Sequence, residues 1–101
     1  MKIAVLISGT GTNMMAIINA INAGELDASI EYVVSSNSHA KGIAKAQEAG
    51  IDTVVFEPAD YADPEAVDRK MVELFEARDV EYVVMAGYMR KVTPVLLDAY
   101  P

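Results

Sequence analysis

Short apolar runs alternate with helix-periodic segments along the whole chain, and this alternation constrains the fold more than any other feature. The first run, Ile3 to Ile7, is continuously apolar, as expected of a strand buried on both faces of a sheet. Further strands are predicted at 30–34, 53–56 and 81–86. Strands that alternate with helices predict an α/β fold, a Rossmann-like parallel sheet with helices on both faces and about four βα units.

The predicted helices have recognisable starts and ends. The first carries an apolar face at helical spacing, formed by Met14, Ile17, Ile18 and Ile21. The second is expected over about 39–49. The third starts at Asp63-Pro64-Glu65, a capping aspartate followed by proline and an acid in the first turn. The fourth starts at Thr93-Pro94, and Gly24 and Gly50 mark the ends of the first two helices.

The commonest strand order for such a fold places the first strand centrally, with the fourth beside it on the side away from the second. Ligands then bind above the carboxyl ends of these two strands. The loops at residues 8–13 and 87–91 meet there, so this crevice is the predicted binding site.

The loop at residues 8–13, called the glycine loop below, has the composition of an anion site. Gly9 and Gly11 allow close approach of the backbone, and the next helix presents free N–H groups to a phosphate. Thr12 or Asn13 is expected to cap that helix. A dinucleotide site is disfavoured because Met14 stands where the third glycine of the fingerprint would be. The loop is not a Walker A loop either, because no Gly-Lys-Ser/Thr follows. The alternative is a tight turn with no ligand.

The second loop, Gly87-Tyr88-Met89-Arg90-Lys91, offers an adaptable thioether surface for a flat ring at Met89. Backbone groups between Arg90 and Val92 are placed to hydrogen-bond the edge of a heterocycle. The alternative is that Arg90 and Lys91 are solvated charges and Met89 fills the core.

Composition excludes several classes of function. The 101 residues carry 15 acidic and 8 basic side chains, a net charge of −7 with no basic cluster, which argues against nucleic-acid binding. There are no cysteines, so disulfides and thiolate chemistry are excluded. The first apolar run is too short to span a membrane and lacks a signal-peptide pattern, so a cytoplasmic protein without membrane contact is expected.

No catalytic or metal-binding constellation stands out. His39, the single histidine, has no nearby acid in the sequence and is expected to be an ordinary surface residue. Most acids around the third helix are attributed to capping and solubility, since their spacing matches no metal site: Asp60, Asp63, Glu65 and Asp68.

The two loops together resemble a known family. Residues 2–14, Lys-Ile-Ala-Val-Leu-Ile-Ser-Gly-Thr-Gly-Thr-Asn-Met, resemble the opening of the glycinamide ribonucleotide formyltransferases, and 83–90, Val-Val-Met-Ala-Gly-Tyr-Met-Arg, resemble their second hallmark. Ser35-Ser36-Asn37 and Ala49-Gly50-Ile51 also match the family pattern, so the resemblance covers essentially the whole chain.

The resemblance implies a function and a set of site residues. The family passes a formyl group from 10-formyltetrahydrofolate to glycinamide ribonucleotide in purine synthesis, without a metal. By resemblance, the substrate phosphate would be bound by Gly11, Thr12 and Asn13. The folate pterin would be bound by Met89, Arg90, Lys91 and Val92.

The sequence departs from the family pattern in two places. Pro64 stands where some members carry an arginine that contacts folate, so no folate contact is assigned there. The family's catalytic asparagine and histidine belong to a downstream Asn-x-His-Pro-Ser motif, followed by a catalytic aspartate. All three lie beyond Pro101, so residues 1–101 are expected to be an N-terminal phosphate-binding portion with no catalytic residue.

Two other functions remain open from the sequence. A related enzyme, such as methionyl-tRNA formyltransferase or formyltetrahydrofolate deformylase, fits the scaffold but is disfavoured by the glycine loop and by a chain that starts directly at the first strand. A non-catalytic phosphoribosyl-binding module is the other alternative, forming a homodimer through the open edge of the fourth strand, where Val83, Val84 and Met85 lie.

Overall fold

The computed structural model describes residues 1–57, 63–88 and 92–100. Within these ranges, four strands and four helices alternate in the predicted order. They are β1 (Lys2–Ile7), α1 (Thr12–Asn22), β2 (Ser29–Ser35), α2 (Lys41–Glu48), β3 (Thr53–Val55), α3 (Pro64–Ala77), β4 (Tyr82–Met85) and α4 (Pro94–Ala99).

The four strands form one parallel sheet in the order β3-β2-β1-β4. β1 is central: Val5 pairs with Val33 of β2 on one side and with Val84 of β4 on the other. The predicted α/β fold and strand order are therefore confirmed. The carboxyl ends of β1 and β4 lie side by side, which brings the loops that follow them to the same edge of the sheet.

Alternate residues of β1 point to opposite faces of the sheet, and each face is covered by a pair of helices. Ile3, Val5 and Ile7 pack with Met14 and Ile18 of α1 and with Ala46 of α2. On the other face, Ala4 and Leu6 pack with residues of α3 and α4: Val67, Met71, Phe75 and Leu96. The complete burial of Ile3 to Ile7 explains the continuously apolar run in the sequence.

Helix starts follow the sequence signals, with one exception. Asp63 caps α3, where its Oδ1 accepts a 2.7 Å hydrogen bond from the N–H of Ala66, and Pro64 occupies the first helical position. Thr93 and Pro94 open α4 as expected. The prediction that Thr12 or Asn13 caps α1 is wrong, because the cap residue is Gly11 and no side chain of the described residues caps this helix.

β4 lies at an edge of the sheet, as predicted. Tyr82 and Met85 are more than half exposed, at 59% and 57%, whereas Val83 and Val84 are half-buried against the two helical layers. A concavity of about 630 Å³ runs beside this edge, between the ends of α3 and α4.

Candidate functional site

The glycine loop and the start of the second loop form one cleft at the carboxyl ends of β1 and β4. The cleft has a volume of about 270 Å³, and its lining consists of residues 8–13 together with Ala86 and Gly87. The pairing of Leu6 with Met85 places these two chain segments side by side. The crevice expected from the strand order is therefore present, in the position where α/β sheets bind ligands.

The amino end of α1 opens onto this cleft. Gly11 adopts a left-handed conformation, with φ of 76°, and its carbonyl accepts the first helical hydrogen bond, from the N–H of Met15, at 2.8 Å. The first N–H groups of an α-helix have no partner within the helix, and the helix dipole adds positive potential there. No acid occupies the first turn, which begins with Thr12 and Asn13. The arrangement is suited to an anion such as a phosphate.

The structure places the candidate phosphate-binding residues together. Gly11 is buried, and Thr12 and Asn13 are exposed at the mouth of the cleft. The hydroxyls of Thr10 and Thr12 lie 3.1 Å apart and form a hydrogen bond across the loop. The three residues predicted to bind phosphate therefore lie at the mouth of the cleft within a single turn of the chain.

The candidate folate-binding residues are only partly within the described part of the chain. Met89, Arg90 and Lys91 lie outside the described residues. Val92 is half-buried and packs against the hydrophobic cluster formed by β1, α3 and α4. It borders a separate hollow of about 40 Å³. The structure does not bring Val92 into the cleft of the glycine loop.

The glycine loop is tied to the end of β2 by a hydrogen bond that the sequence did not predict. The hydroxyls of Ser8 and Ser36 lie 2.6 Å apart, although 28 residues separate them, and Ser36 is buried. In the sequence, Ser36 entered only as part of Ser35-Ser36-Asn37, which matches the family pattern. A polar residue at the end of the neighbouring strand was the available signal for this contact.

A carboxylate lies near the same end of the sheet but is already engaged. Glu57 follows β3, and its Oε1 accepts a 2.6 Å hydrogen bond from the backbone N–H of Ser38. Hydrogen bonds from the Ser38 hydroxyl and N–H lower the pKa of Glu57, with a smaller contribution from the charge of His39. Glu57 therefore acts as an anchor for the 37–39 turn and remains ionised at neutral pH.

Asp68 is the exception among the acids of which most were attributed to capping and solubility. It is 2% exposed, and its Oδ2 accepts hydrogen bonds from the backbone N–H and the hydroxyl of Thr93, at 2.7 and 2.6 Å. Asp63 and Glu65 are exposed, as expected, and Asp60 lies outside the described residues. Among the described residues, no group of three or more histidine, cysteine or acidic side chains is arranged to hold a metal.

A second charged cluster lies at the opposite end of the sheet and is structural. The guanidinium of Arg78 lies 4.2 Å from the ring centre of Tyr32, forms a 2.7 Å ion pair with Asp52 and donates to the carbonyl of Glu31 at 3.1 Å. The hydrogen bond to Asp52 raises the pKa of Arg78. These contacts join the C-cap of α3 to β2 and to the residue before β3, at the end of the sheet away from the glycine loop.

Comparison with known proteins points to one family. The sequence profile of the family described as formyl transferase matches residues 1–101. The chain is 38% identical to the phosphoribosylglycinamide formyltransferase of Haemophilus influenzae, over 92% of this chain and 44% of that protein. It is 40% identical to the chicken trifunctional purine biosynthetic protein adenosine-3, over 88% of this chain and 9% of that protein.

The solved structures agree. The crystal structure of glycinamide ribonucleotide transformylase 1 from Symbiobacterium toebii superimposes with a TM-score of 0.94 and 38% identity, over 99% of this chain and 47% of that one. The chain thus spans about half the length of the single-function relatives that it matches. With a family profile that covers every residue and a fold that superimposes throughout, the chain belongs to the formyl transferase family.

Proposed function

We propose that this chain forms the phosphate-binding portion of a phosphoribosylglycinamide formyltransferase. The reaction transfers a formyl group from 10-formyltetrahydrofolate, the cosubstrate, to the amine of glycinamide ribonucleotide in purine biosynthesis. The observation that carries the proposal is the glycine loop at the amino end of α1, which opens into the cleft between β1 and β4. The names of the relatives supply the substrate and the reaction.

In this proposal, Gly11, Thr12 and Asn13 bind the phosphate of glycinamide ribonucleotide. The backbone N–H groups of the first turn of α1 would donate to the phosphate oxygens, and the helix dipole would stabilise their charge. The chain's net charge of −7 repels anions at long range, so this local field has to supply the attraction. Held by its phosphate, the substrate would extend its amine along the cleft.

The folate would bind against the second loop, at Met89, Arg90, Lys91 and Val92. Ala86 and Gly87, which already line the cleft, connect this loop to the phosphate site. The two substrates would therefore meet above β4. This arrangement follows from the shared edge of the sheet, since the loops after adjacent parallel strands lie next to each other.

Residues 1–101 would bind and orient the substrates without supplying the catalytic groups. Formyl transfer needs a group that stabilises the developing oxyanion and a route for the proton of the amine. The described part of the chain places no histidine in the cleft, since His39 lies in the turn beside Glu57.

We propose that the protein acts in the cytoplasm. No helix in the described ranges has the length and apolar character needed to cross a membrane.

A charge change at the mouth of the cleft tests the phosphate site. Asn13→Asp replaces an amide at the start of α1 with a carboxylate of nearly the same shape. The carboxylate would repel the substrate phosphate over several ångströms, so we expect the dissociation constant of glycinamide ribonucleotide to rise about tenfold or more at low salt. Asn19→Asp is the matched control, because it makes the same substitution at an exposed position later in the same helix. Isothermal titration calorimetry measures both.

The ligand series makes the test specific for the phosphate. The affinity of the protein for glycinamide riboside, which lacks the phosphate, is expected to change little in Asn13→Asp. Equal losses for the ribonucleotide and the riboside, or equal effects of Asn13→Asp and Asn19→Asp, would contradict the assignment.

A non-catalytic phosphoribosyl-binding module is the second candidate. The observation that favours it is the exposed apolar edge of β4 at Tyr82 and Met85, a surface through which two copies could form a homodimer. Turnover separates the two proposals. Formylation of glycinamide ribonucleotide by the protein at its natural length supports the enzyme, whereas tight binding by a stable dimer without product supports the module.

A further inference from the structure

Helix α2 contacts the glycine loop through two glycines, with no side chain between their backbones. The N–H of Gly42 donates a 3.1 Å hydrogen bond to the carbonyl of Gly9. A Cβ atom on Gly11 would lie 2.9 Å from the Cα of Gly42, and a Cβ on Gly42 would lie 3.1 Å from the Cα of Gly11 and 3.3 Å from its nitrogen. These separations are below ordinary van der Waals contact, so a side chain on either glycine would force the opposing backbone to shift.

This contact controls the direction of a carbonyl next to the anion site. A carbonyl oxygen turned toward a phosphate would repel it, and the hydrogen bond from Gly42 holds the oxygen of Gly9 against α2. In a trans peptide, the next N–H points the opposite way, so the N–H of Thr10 is directed away from α2. The first turn of α2 thus fixes the orientation of a peptide unit in the glycine loop.

We infer that Gly42 is a positioning residue for the substrate phosphate. It lies 31 residues beyond Gly11 in the sequence and borders the cleft only through the loop that it supports. Its missing side chain sets how closely the loop approaches α2, and its N–H orients the Gly9 carbonyl. This inference rests on the proposed phosphate site.

The variant Gly42→Ala separates the loop from α2 by a small distance. The added methyl group must displace the Gly11 backbone by a few tenths of an ångström, because backbone atoms cannot rotate away as a side chain can. Hydrogen bonds from the loop to a charged phosphate weaken when their geometry is lost, so we expect about a tenfold rise in the dissociation constant of glycinamide ribonucleotide.

The expected signature is a change confined to the phosphate-bearing substrate. The KM for glycinamide ribonucleotide rises about tenfold, in line with its dissociation constant. The kcat and the KM for 10-formyltetrahydrofolate stay as in the parent protein. The thermal midpoint is expected to fall only slightly, because the end of the Ile7 side chain can rotate away from the new methyl group and alanine is a better helix former than glycine. A general packing defect would instead lower the thermal midpoint strongly and alter the KM for both substrates.

Ile7 provides the control for packing. The same Cβ on Gly42 would lie 2.6 Å from the Cδ1 of Ile7, so core strain is a competing cause of any defect. Ile7→Val removes this methyl group and relieves that contact without touching the contact with Gly11. The four proteins to compare, each at its natural length, are the parent, Gly42→Ala, Ile7→Val and the double variant.

Calorimetric titration with glycinamide ribonucleotide and with glycinamide riboside decides the matter. A tenfold loss for the ribonucleotide alone, retained in the double variant, supports the inference. Parent-like affinity in Gly42→Ala overturns it, and so does full recovery in the double variant, which would trace the defect to Ile7. If Gly42→Ala does not fold, the double variant against Ile7→Val makes the same comparison. A parent protein with no preference for the phosphorylated ligand refutes the phosphate site itself, and this inference with it.

Discussion

The buried hydrogen bonds between Asp68 and Thr93 support the most direct stability prediction. One carboxylate oxygen accepts both the N–H and the hydroxyl of Thr93, at 2.7 and 2.6 Å. Both residues are buried, so water cannot replace a lost partner. The pair joins the second turn of α3 to the N-cap residue of α4, directly after Val92.

Asp68→Ala removes the acceptor and leaves two donors of Thr93 buried without it. A hydrogen bond to a charged group contributes about 1.5–3 kcal/mol, and a stranded buried donor costs about 1–3 kcal/mol. Because both bonds share one oxygen, we expect a loss of about 3 kcal/mol in the free energy of unfolding. Asp68→Asn retains an oxygen acceptor but loses its charge, so its cost should be about 1 kcal/mol.

Denaturant unfolding with linear extrapolation measures these differences. Thr93→Val adds a second test, because it deletes the hydroxyl while leaving the N–H bond to Asp68. In the double variant with Asp68→Ala the stranded hydroxyl is gone, so its loss should be clearly smaller than the sum of the two single losses. A cost below about 1 kcal/mol for Asp68→Ala, or strictly additive losses, would refute the reasoning.

Three further predictions concern the cap of α3, the acid stability and the core. Asp63→Ala deletes the exposed cap that accepts from Ala66, and denaturant unfolding should show a loss of about 1 kcal/mol, less than for the buried acid of the same helix. For Glu57, the hydrogen bonds from Ser38 lower the folded-state pKa below the ordinary 4.5, so its stabilisation is present above that pH and is lost as the pH falls through the folded-state value. Glu57→Gln should therefore flatten the fall in stability on acidification, and an unchanged acid profile would contradict this. Phe75→Ala empties a fully buried site between two tyrosine rings and should cost about 3–5 kcal/mol, with Phe75→Leu losing clearly less.

Local sequence patterns were sufficient for the elements and for the location of the cleft. The apolar run of β1, the Asp63-Pro64 start of α3 and the glycine loop before α1 each depend on residues within one turn or strand, where propensity, capping and backbone sterics act. Parallel βα units also restrict the strand order, which placed the glycine loop beside Ala86 and Gly87. The family resemblance named the residues to look for in these loops.

The capping of α1 was misjudged because several local solutions were available. Thr12 and Asn13 both belong to the residue types that cap helices, but Gly11 reaches the left-handed conformation that starts this helix one residue earlier. The close approach of α2 separately disfavours a side chain at this cap, since a Cβ on residue 11 would lie 2.9 Å from the Cα of Gly42. A neighbour 31 positions away in the sequence therefore constrains the residue type at the start of α1.

Local sequence patterns predicted the alternation of strands and helices and the starts of α3 and α4, and the anion site at the first βα turn stays a prediction. The three-dimensional fold was needed to show that Asp68 is buried against Thr93, that Ser36 bonds Ser8 and that α2 contacts the glycine loop. The physical reason is separation along the chain. These partners lie 25 or more residues apart, so their contacts arise only when the sheet order brings distant segments together, and no periodicity or local propensity records them.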